Sequence, residues 1–232
     1  MRNPILDALF IRATVVSVAP AGRFRKVRLS APKLAGVDWT PGQQVRIDCG
    51  PDTAFAPTLR TYSVWDHEDD WLDGYCLVHG DGPGSIWAAQ ADAGQQVRIT
   101  KPKGDFVIRP ADCHVFVGDE TASAAFGPMI RALPDDVPVH TIVETGTEAD
   151  RLPLTRDVTW LLRSPGTPPE DPSALLAAVA EAKLPDVPGS AYLAGEARTI
   201  QAVRNVLVND RGWARKSVYT KPFWTPGKRG LE

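Results

Sequence analysis

The chain has 232 residues, of which 43% are hydrophobic and 23% charged, with a formal net charge of −2; these are values of a globular protein with room for one large domain or two small ones. The balanced charge excludes a general nucleic-acid binder, and no run of about 18 apolar residues occurs, so no membrane span is expected. The three cysteines, Cys49, Cys76 and Cys113, are odd in number and widely spaced, which points to reduced thiols in a cytoplasmic protein rather than a disulfide framework.

The N-terminal residues lack an unbroken apolar run, because Asp7 and Arg12 interrupt it, so no signal segment is expected. Phe10 to Ala19 and Phe24 to Ser30 alternate as two strands around Pro20-Ala21-Gly22. Gln43 to Cys49, Leu59 to Trp65, Trp71 to His79 and Gln95 to Thr100 read as further strands, with an acidic turn over Asp66 to Asp70 and a short helix over Ile86 to Ala91. Short strands at this spacing suggest an antiparallel barrel or sandwich.

After Pro110 the period changes. Val115 to Val117, Val137 to Val143, Val158 to Leu162, Ala191 to Ala194 and Ser217 to Thr220 read as strands. Between them, Thr121 to Leu133, Ser173 to Ala182 (with Ser173 as cap) and Ala197 to Val208 read as helices. Such alternation predicts a parallel sheet with helices on both faces. The fold class expected is therefore β + α/β, with domains over 1–109 and 110–232. From Arg211 onward basic residues outnumber acidic ones, which gives either a solvated terminus or a surface that attracts an anionic ligand.

Four groups of residues carry chemistry. On a strand, Arg60 and Tyr62 share one face and Thr61 and Ser63 the other. Arg60 suits a pyrophosphate and Tyr62 a flat ring, while Ser63 is short enough to donate to a ring nitrogen; an ordinary half-exposed strand has the same composition. The run His79-Gly80-Asp81-Gly82-Pro83-Gly84-Ser85 follows a strand and precedes a helix, so its amides suit a phosphate, although a plain Gly/Pro turn reads alike. Gly118-Asp119-Glu120-Thr121 and Gly195-Glu196 sit where strands of the second domain end, the usual ligand edge of such sheets; helix capping is the alternative. Arg163-Ser164 ends another strand and suits an adenosine 2′-phosphate, or is a solvated strand end. His67, His79, His114 and His140 form no ligand spacing with the cysteines, so no metal site is expected. No Gly-x-Ser-x-Gly elbow is present.

In order along the chain, Arg60-Thr61-Tyr62-Ser63, the block His79 to Ala88, Lys101-Pro102-Lys103-Gly104-Asp105-Phe106, Val117 to Ala122, Trp160 to Arg163, Ala194 to Ala197 and Val218 to Trp224 resemble the siderophore-interacting protein family, a branch of the ferredoxin-NADP reductase-like flavoproteins. The resemblance implies an FAD-binding barrel followed by a nicotinamide-binding α/β domain. It implies electron flow from NADPH or NADH through FAD to Fe(III) in a siderophore or other chelate. It places Arg60, Tyr62, Ser63, His79, Gly80, Gly84 and Ser85 at FAD; from the residues themselves, Thr61, Gly82, Gly118, Asp119, Arg163, Gly195 and Glu196 are also expected at the cofactors. Ser63 and Thr121 stand nearest the chemistry, with Thr121 near the flavin–nicotinamide junction. Lys221 and Trp224 match the family's positions near the flavin where the iron chelate docks, and Lys221, Lys228 and Arg229 are expected to steer an anionic chelate. Two other readings stay open: a flavin reductase or ferredoxin-linked electron-transfer protein, and a ferric-chelate binder without catalysis.

Overall fold

The computed structural model describes residues 10–51, 56–184 and 189–228. It divides into two compact units, Met1–Val107 and Ile108–Glu232.

The first unit is a seven-stranded antiparallel sheet built from β1 (Ile11–Ala21), β2 (Phe24–Ser30), β3 (Gln44–Asp48), β4 (Leu59–Ser63), β5 (Asp66–Glu68), β6 (Trp71–Leu77) and β7 (Gln96–Ile99). The spatial order is β4-β3-β7-β1-β2-β6-β5. Trp65 N, just past β4, donates to Asp73 O on β6 at 2.8 Å, so the ends of the sheet meet and it curls into a barrel. Inward residues alternate along each strand, and Ala13, Val15, Val27, Leu29, Val45, Ile47, Leu72 and Ile99 fill the interior. One helix, α1 (Pro83–Gln90), joins the β6 end to β7.

β1 runs through Pro20, where the sequence places a turn. The turn is Gly22-Arg23, with Gly22 at φ +59. Proline is tolerated because β7 pairs β1 only over Ile11 to Thr14, so the far half of β1 has one free edge. The acidic stretch expected as a turn contributes β5, which pairs with β6.

The second unit holds a five-stranded parallel sheet: β8 (His114–Asp119), β9 (Val139–Thr145), β10 (Thr159–Leu162), β11 (Ser190–Glu196) and β12 (Val218–Trp224) in the order β10-β9-β8-β11-β12. Helices α2 (Ser123–Arg131), α3 (Ser173–Glu181) and α4 (Ala197–Asn205) connect them. Every residue of β8 and β11 is buried, because both faces are covered. On one face Val115, Val117, Ile142 and Leu193 pack with Leu175, Val179, Ile200 and Val203 of α3 and α4. On the other, Phe116 lies 5.1 Å from Tyr192 and 5.2 Å from Phe126 of α2, ring centre to ring centre.

Three local features differ from the sequence reading. Ser173 does not cap α3; Asp171 Oδ1 accepts from Ser173 N at 2.9 Å instead. The tail is ordered into β12 as an edge strand through Lys221-Pro222-Phe223-Trp224, an arrangement open to proline because one side needs no donor. Arg211 is not part of a charged tail either. Its Nη2 donates to the carbonyls of Val179, Ala180 and Ala182 at 2.8, 2.8 and 2.9 Å, closing the C-terminal end of α3. Arg211→Ala is expected to lower stability by about 1–2 kcal/mol, read as a shift of the urea midpoint at unchanged slope.

Among the described residues, no helix is long and apolar enough to cross a membrane, and no group of three or more His, Cys, Asp or Glu is placed to hold a metal ion. Cys49, Cys76 and Cys113 are free thiols; burial pushes Cys49 up to about 12, so it behaves as a small core residue.

Candidate functional site

Two constellations stand out, one in each unit.

In the first unit, Arg60 and Tyr62 alternate to the same face of β4, as the strand reading requires. Both lie against Gly84, in the first turn of α1. A β-carbon there would come 2.4 Å from Tyr62 Oη and 3.3 Å from Arg60 Cγ, so only glycine permits this approach. The Tyr62 and Trp87 rings lie 6.0 Å apart. Burial holds the Tyr62 phenol well above its ordinary value, so it stays protonated and able to donate. Thr61 is exposed on the opposite face and Ser63 is buried there. The four residues therefore do not line one surface.

The Gly-rich run is closed by Ser85. Its Oγ accepts from His79 N at 3.0 Å and donates to His79 O, which fixes the loop. Gly80 turns the chain at φ +58. Gly82 caps α1 in extended conformation without a side-chain hydrogen bond, and no acidic residue occupies the first turn. A β-carbon on Gly82 would meet nothing within 4 Å. The amides at this helix end are thus uncapped, with Arg60 beside them, an arrangement that suits an anionic phosphate.

The sequence did not single out Asp48 and Arg98, whose side chains are 2% and 5% exposed and 2.8 Å apart. Asp48 Oδ1 also accepts from Gly50 N and Thr58 N, at 3.1 and 2.9 Å, and so anchors both ends of the loop between β3 and β4. A cavity of about 290 Å³ beside this pair is lined by Asp48, Gly50, Trp87, Val97 and Arg98 among others. A charge beside apolar strand residues, Asp48 at the end of β3 and Arg98 within β7, was the available signal.

In the second unit the carboxyl ends of all five strands are joined by hydrogen bonds. Asp119, at the end of β8, accepts from Thr121 N (2.9 Å), from the Thr121 hydroxyl, from Glu196 N (2.9 Å) and from Trp224 Nε1 (2.7 Å). Burial and neighbouring Glu120 push its carboxyl up, against these four donors. Glu196, at the end of β11, caps α4 by accepting from Thr199 N at 2.7 Å. Gly118 and Gly195 are required by packing. A β-carbon on Gly118 would come 2.2 Å from Ala194 O, and one on Gly195, at φ +125, 2.5 Å from Asp119 Oδ2. Gly118, Asp119, Gly195 and Glu196 thus meet where the strand order reverses between β8 and β11, the crevice position for ligands in such sheets.

Arg163 follows β10. Its Nε donates to Glu144 at 2.9 Å and its Nη2 to Glu120 at 3.0 Å, and its side chain is 7% exposed. Two of its three nitrogens are spent on internal carboxylates, so the geometry favours an ion-paired strut over the phosphate contact suggested by its place at a strand end. Trp224 is held in the same way by Asp119 rather than projecting from a tail. Lys221 is half-buried on β12 and Lys228 is exposed. Arg229 lies outside the described residues.

Residues 111–227 match the family described as siderophore-interacting protein, and residues 26–106 match the siderophore-interacting FAD-binding domain. The ferric vibriobactin reductase ViuB of Vibrio cholerae is 32% identical over 183 residues, covering 75% of this chain and 65% of that protein. The chain thus spans just under two thirds of that relative's length. A siderophore utilization protein from T. fusca is 25% identical, with a TM-score of 0.82 over 96% of this chain and 95% of its own. The flavohem-like FAD/NAD-binding domain of a nitric oxide dioxygenase from Vibrio cholerae shares the fold, with a TM-score of 0.71 at 16% identity over 93% of this chain and 99% of its own.

Proposed function

Because the chain belongs to the siderophore-interacting protein family, we propose that it is an FAD-dependent reductase that passes electrons from a nicotinamide dinucleotide to Fe(III) held in a siderophore or similar chelate. In this reading 1–109 is the FAD-binding domain and 110–232 the nicotinamide-binding domain. The observation that carries it is the uncapped amino end of α1 with Arg60 and Tyr62 packed against Gly84.

These residues fit FAD. The α1 amides and Arg60 neutralise a pyrophosphate, and glycine at 82 and 84 lets the backbone come close. Tyr62 offers a flat ring and a phenol that stays protonated. Ser85 keeps the loop in place through the His79 backbone. FAD supplies conversion between a two-electron donor and one-electron acceptors. Gly118, Thr121, Gly195 and Glu196 border the crevice assigned to the dinucleotide, with Asp119 fixing its walls. Lys221, Lys228 and Arg229 supply positive charge toward an anionic chelate, and Fe(II), bound more weakly than Fe(III) by hard oxygen donors, leaves after reduction.

The test is spectroscopic. The FAD-loaded protein is mixed anaerobically with NADH or NADPH, and then with Fe(III) dicitrate or an Fe(III) tris-catecholate in the presence of an Fe(II) trap. The expected result is loss of the flavin band on adding nucleotide, and its return with trapped Fe(II) on adding chelate. Reduction by reduced ferredoxin alone would assign the electrons to a protein donor. A protein that takes up no FAD but binds the chelate would replace the reductase with a carrier.

A further inference from the structure

We propose that the C-terminal unit selects NADH and rejects NADPH, because the strand ends on one side of its crevice present carboxylates and hold Arg163 between them. The inference deepens the reading of the chain as a nicotinamide-dependent flavoprotein and rests on it.

In a parallel sheet of this type the dinucleotide lies across the carboxyl ends at the point where strand order reverses. Here that point falls between β8 and β11. The adenosine ribose of such ligands is read at the ends of the strands beyond β8, where an acidic residue serves a free 2′-hydroxyl and an arginine serves a 2′-phosphate. Both residue types are present, at the ends of β9 and β10. The arginine is committed: Arg163 binds Glu144 and Glu120 at 2.9 and 3.0 Å. Its backbone N also donates to Thr145 O at 2.9 Å, which continues the β9 ladder and pins its base.

The remaining charges point the same way. On the side of β9 and β10, Glu120 and Glu144 are 5% and 2% exposed, two carboxylates to the one guanidinium that they hold. The other cation on this side, Arg151, is 3.4 Å from Glu148 and lies over the Trp160 ring at 5.8 Å. Two further cations, exposed Arg198 in the first turn of α4 and half-buried Lys221 on β12, lie across the switch point from β9 and β10. They are placed for a pyrophosphate or an anionic acceptor, not for a 2′-substituent.

A dianionic 2′-phosphate brought near these carboxylates meets repulsion on the order of 1–2 kcal/mol at an effective dielectric between protein and water, about tenfold in affinity. Two measurements on the full chain test this. One is the rate of anaerobic flavin reduction by NADH and by NADPH. The other is calorimetric titration with ADP-ribose and its 2′-phosphorylated form, which reads the same discrimination without flavin chemistry. NADH is expected to be at least about tenfold faster, with ADP-ribose the tighter ligand by a similar factor. Glu144→Gln loosens Arg163 and is expected to narrow both ratios; Glu120→Gln serves if that variant melts early. Equal or reversed preference in the titration overturns the inference and leaves the reductase reading standing. ADP-ribose selectivity without flavin reduction by NADH upholds the preference and overturns the reductase. No binding of either nucleotide overturns both.

Discussion

Gly195→Ala is expected to destabilise the C-terminal unit by about 4 kcal/mol or more, read as a large fall in its urea midpoint. Two costs combine at this position. The backbone sits at φ +125, a region that L-residues with a β-carbon rarely adopt, and the added carbon would lie 2.5 Å from Asp119 Oδ2. The carboxylate cannot retreat cheaply. It holds Thr121, the Glu196 amide and the Trp224 indole at once, and hydrogen bonds to a charged group contribute about 1.5–3 kcal/mol each. Losing two of them with the backbone strain removes about 4 kcal/mol or more, a large share of the usual 5–15. Gly227→Ala is the control. Gly227 is also at positive φ, but a β-carbon there meets nothing within 4 Å, so it isolates strain from collision. Urea unfolding followed by tryptophan fluorescence separates the two. A Gly195→Ala midpoint close to that of Gly227→Ala would show that Asp119 is not the fixed point of the strand ends.

The sequence shows why part of this was readable and part was not. Phe24 to Ser30 alternates well enough to be read as a strand and forms β2 over those same residues; Ala191 to Ala194 is an apolar run and lies inside a strand covered on both faces. The family assignment and the two-part fold rest on such local signals and on motif order. What was lost required knowledge of a neighbour. Pro20 reads as a turn and the last strand reads as ending at Thr220, yet Pro20 and Pro222 both lie in strands, because whether a strand lacks a partner on one side is a property of the sheet. Arg211 reads as tail charge and serves the α3 carbonyls, a partnership about 30 residues away in the chain. Among the candidate site residues, the shared face of Arg60 and Tyr62 follows from strand period alone. The commitments of Asp119, Trp224 and Arg163 to one another and to Glu120, Glu144 and Glu196 do not, since five separate strand ends must converge before any of them has a partner. A strand-end arginine looks the same in sequence whether it faces a phosphate or two glutamates.

Gly84→Ala is expected to abolish practical FAD retention while sparing the barrel. The added methyl carbon would stand 2.4 Å from Tyr62 Oη, well inside contact distance, and the Tyr62 ring already packs against Trp87 at 6.0 Å. Either the first turn of α1 shifts away from β4 or the ring rotates. Both outcomes separate the uncapped amides from Arg60 and Tyr62, the pair proposed to hold the two ends of the cofactor. The loss of at least about 3 kcal/mol corresponds to roughly a hundredfold weaker binding, measured by equilibrium dialysis and by the flavin band of the purified protein. Tyr62→Phe alone removes one hydroxyl and is expected to cost about 1 kcal/mol. Combining the two substitutions removes the atom with which the new carbon collides; the next neighbour, Arg60 Cγ, is at 3.3 Å and sits on a flexible chain. The double variant is therefore expected to bind FAD more tightly than Gly84→Ala, a positive coupling of the kind a double-mutant cycle isolates. Simple additivity with an unchanged melting temperature would mean that the approach of α1 to β4 does not set the cofactor site, and the clamp would have to be sought elsewhere in the barrel.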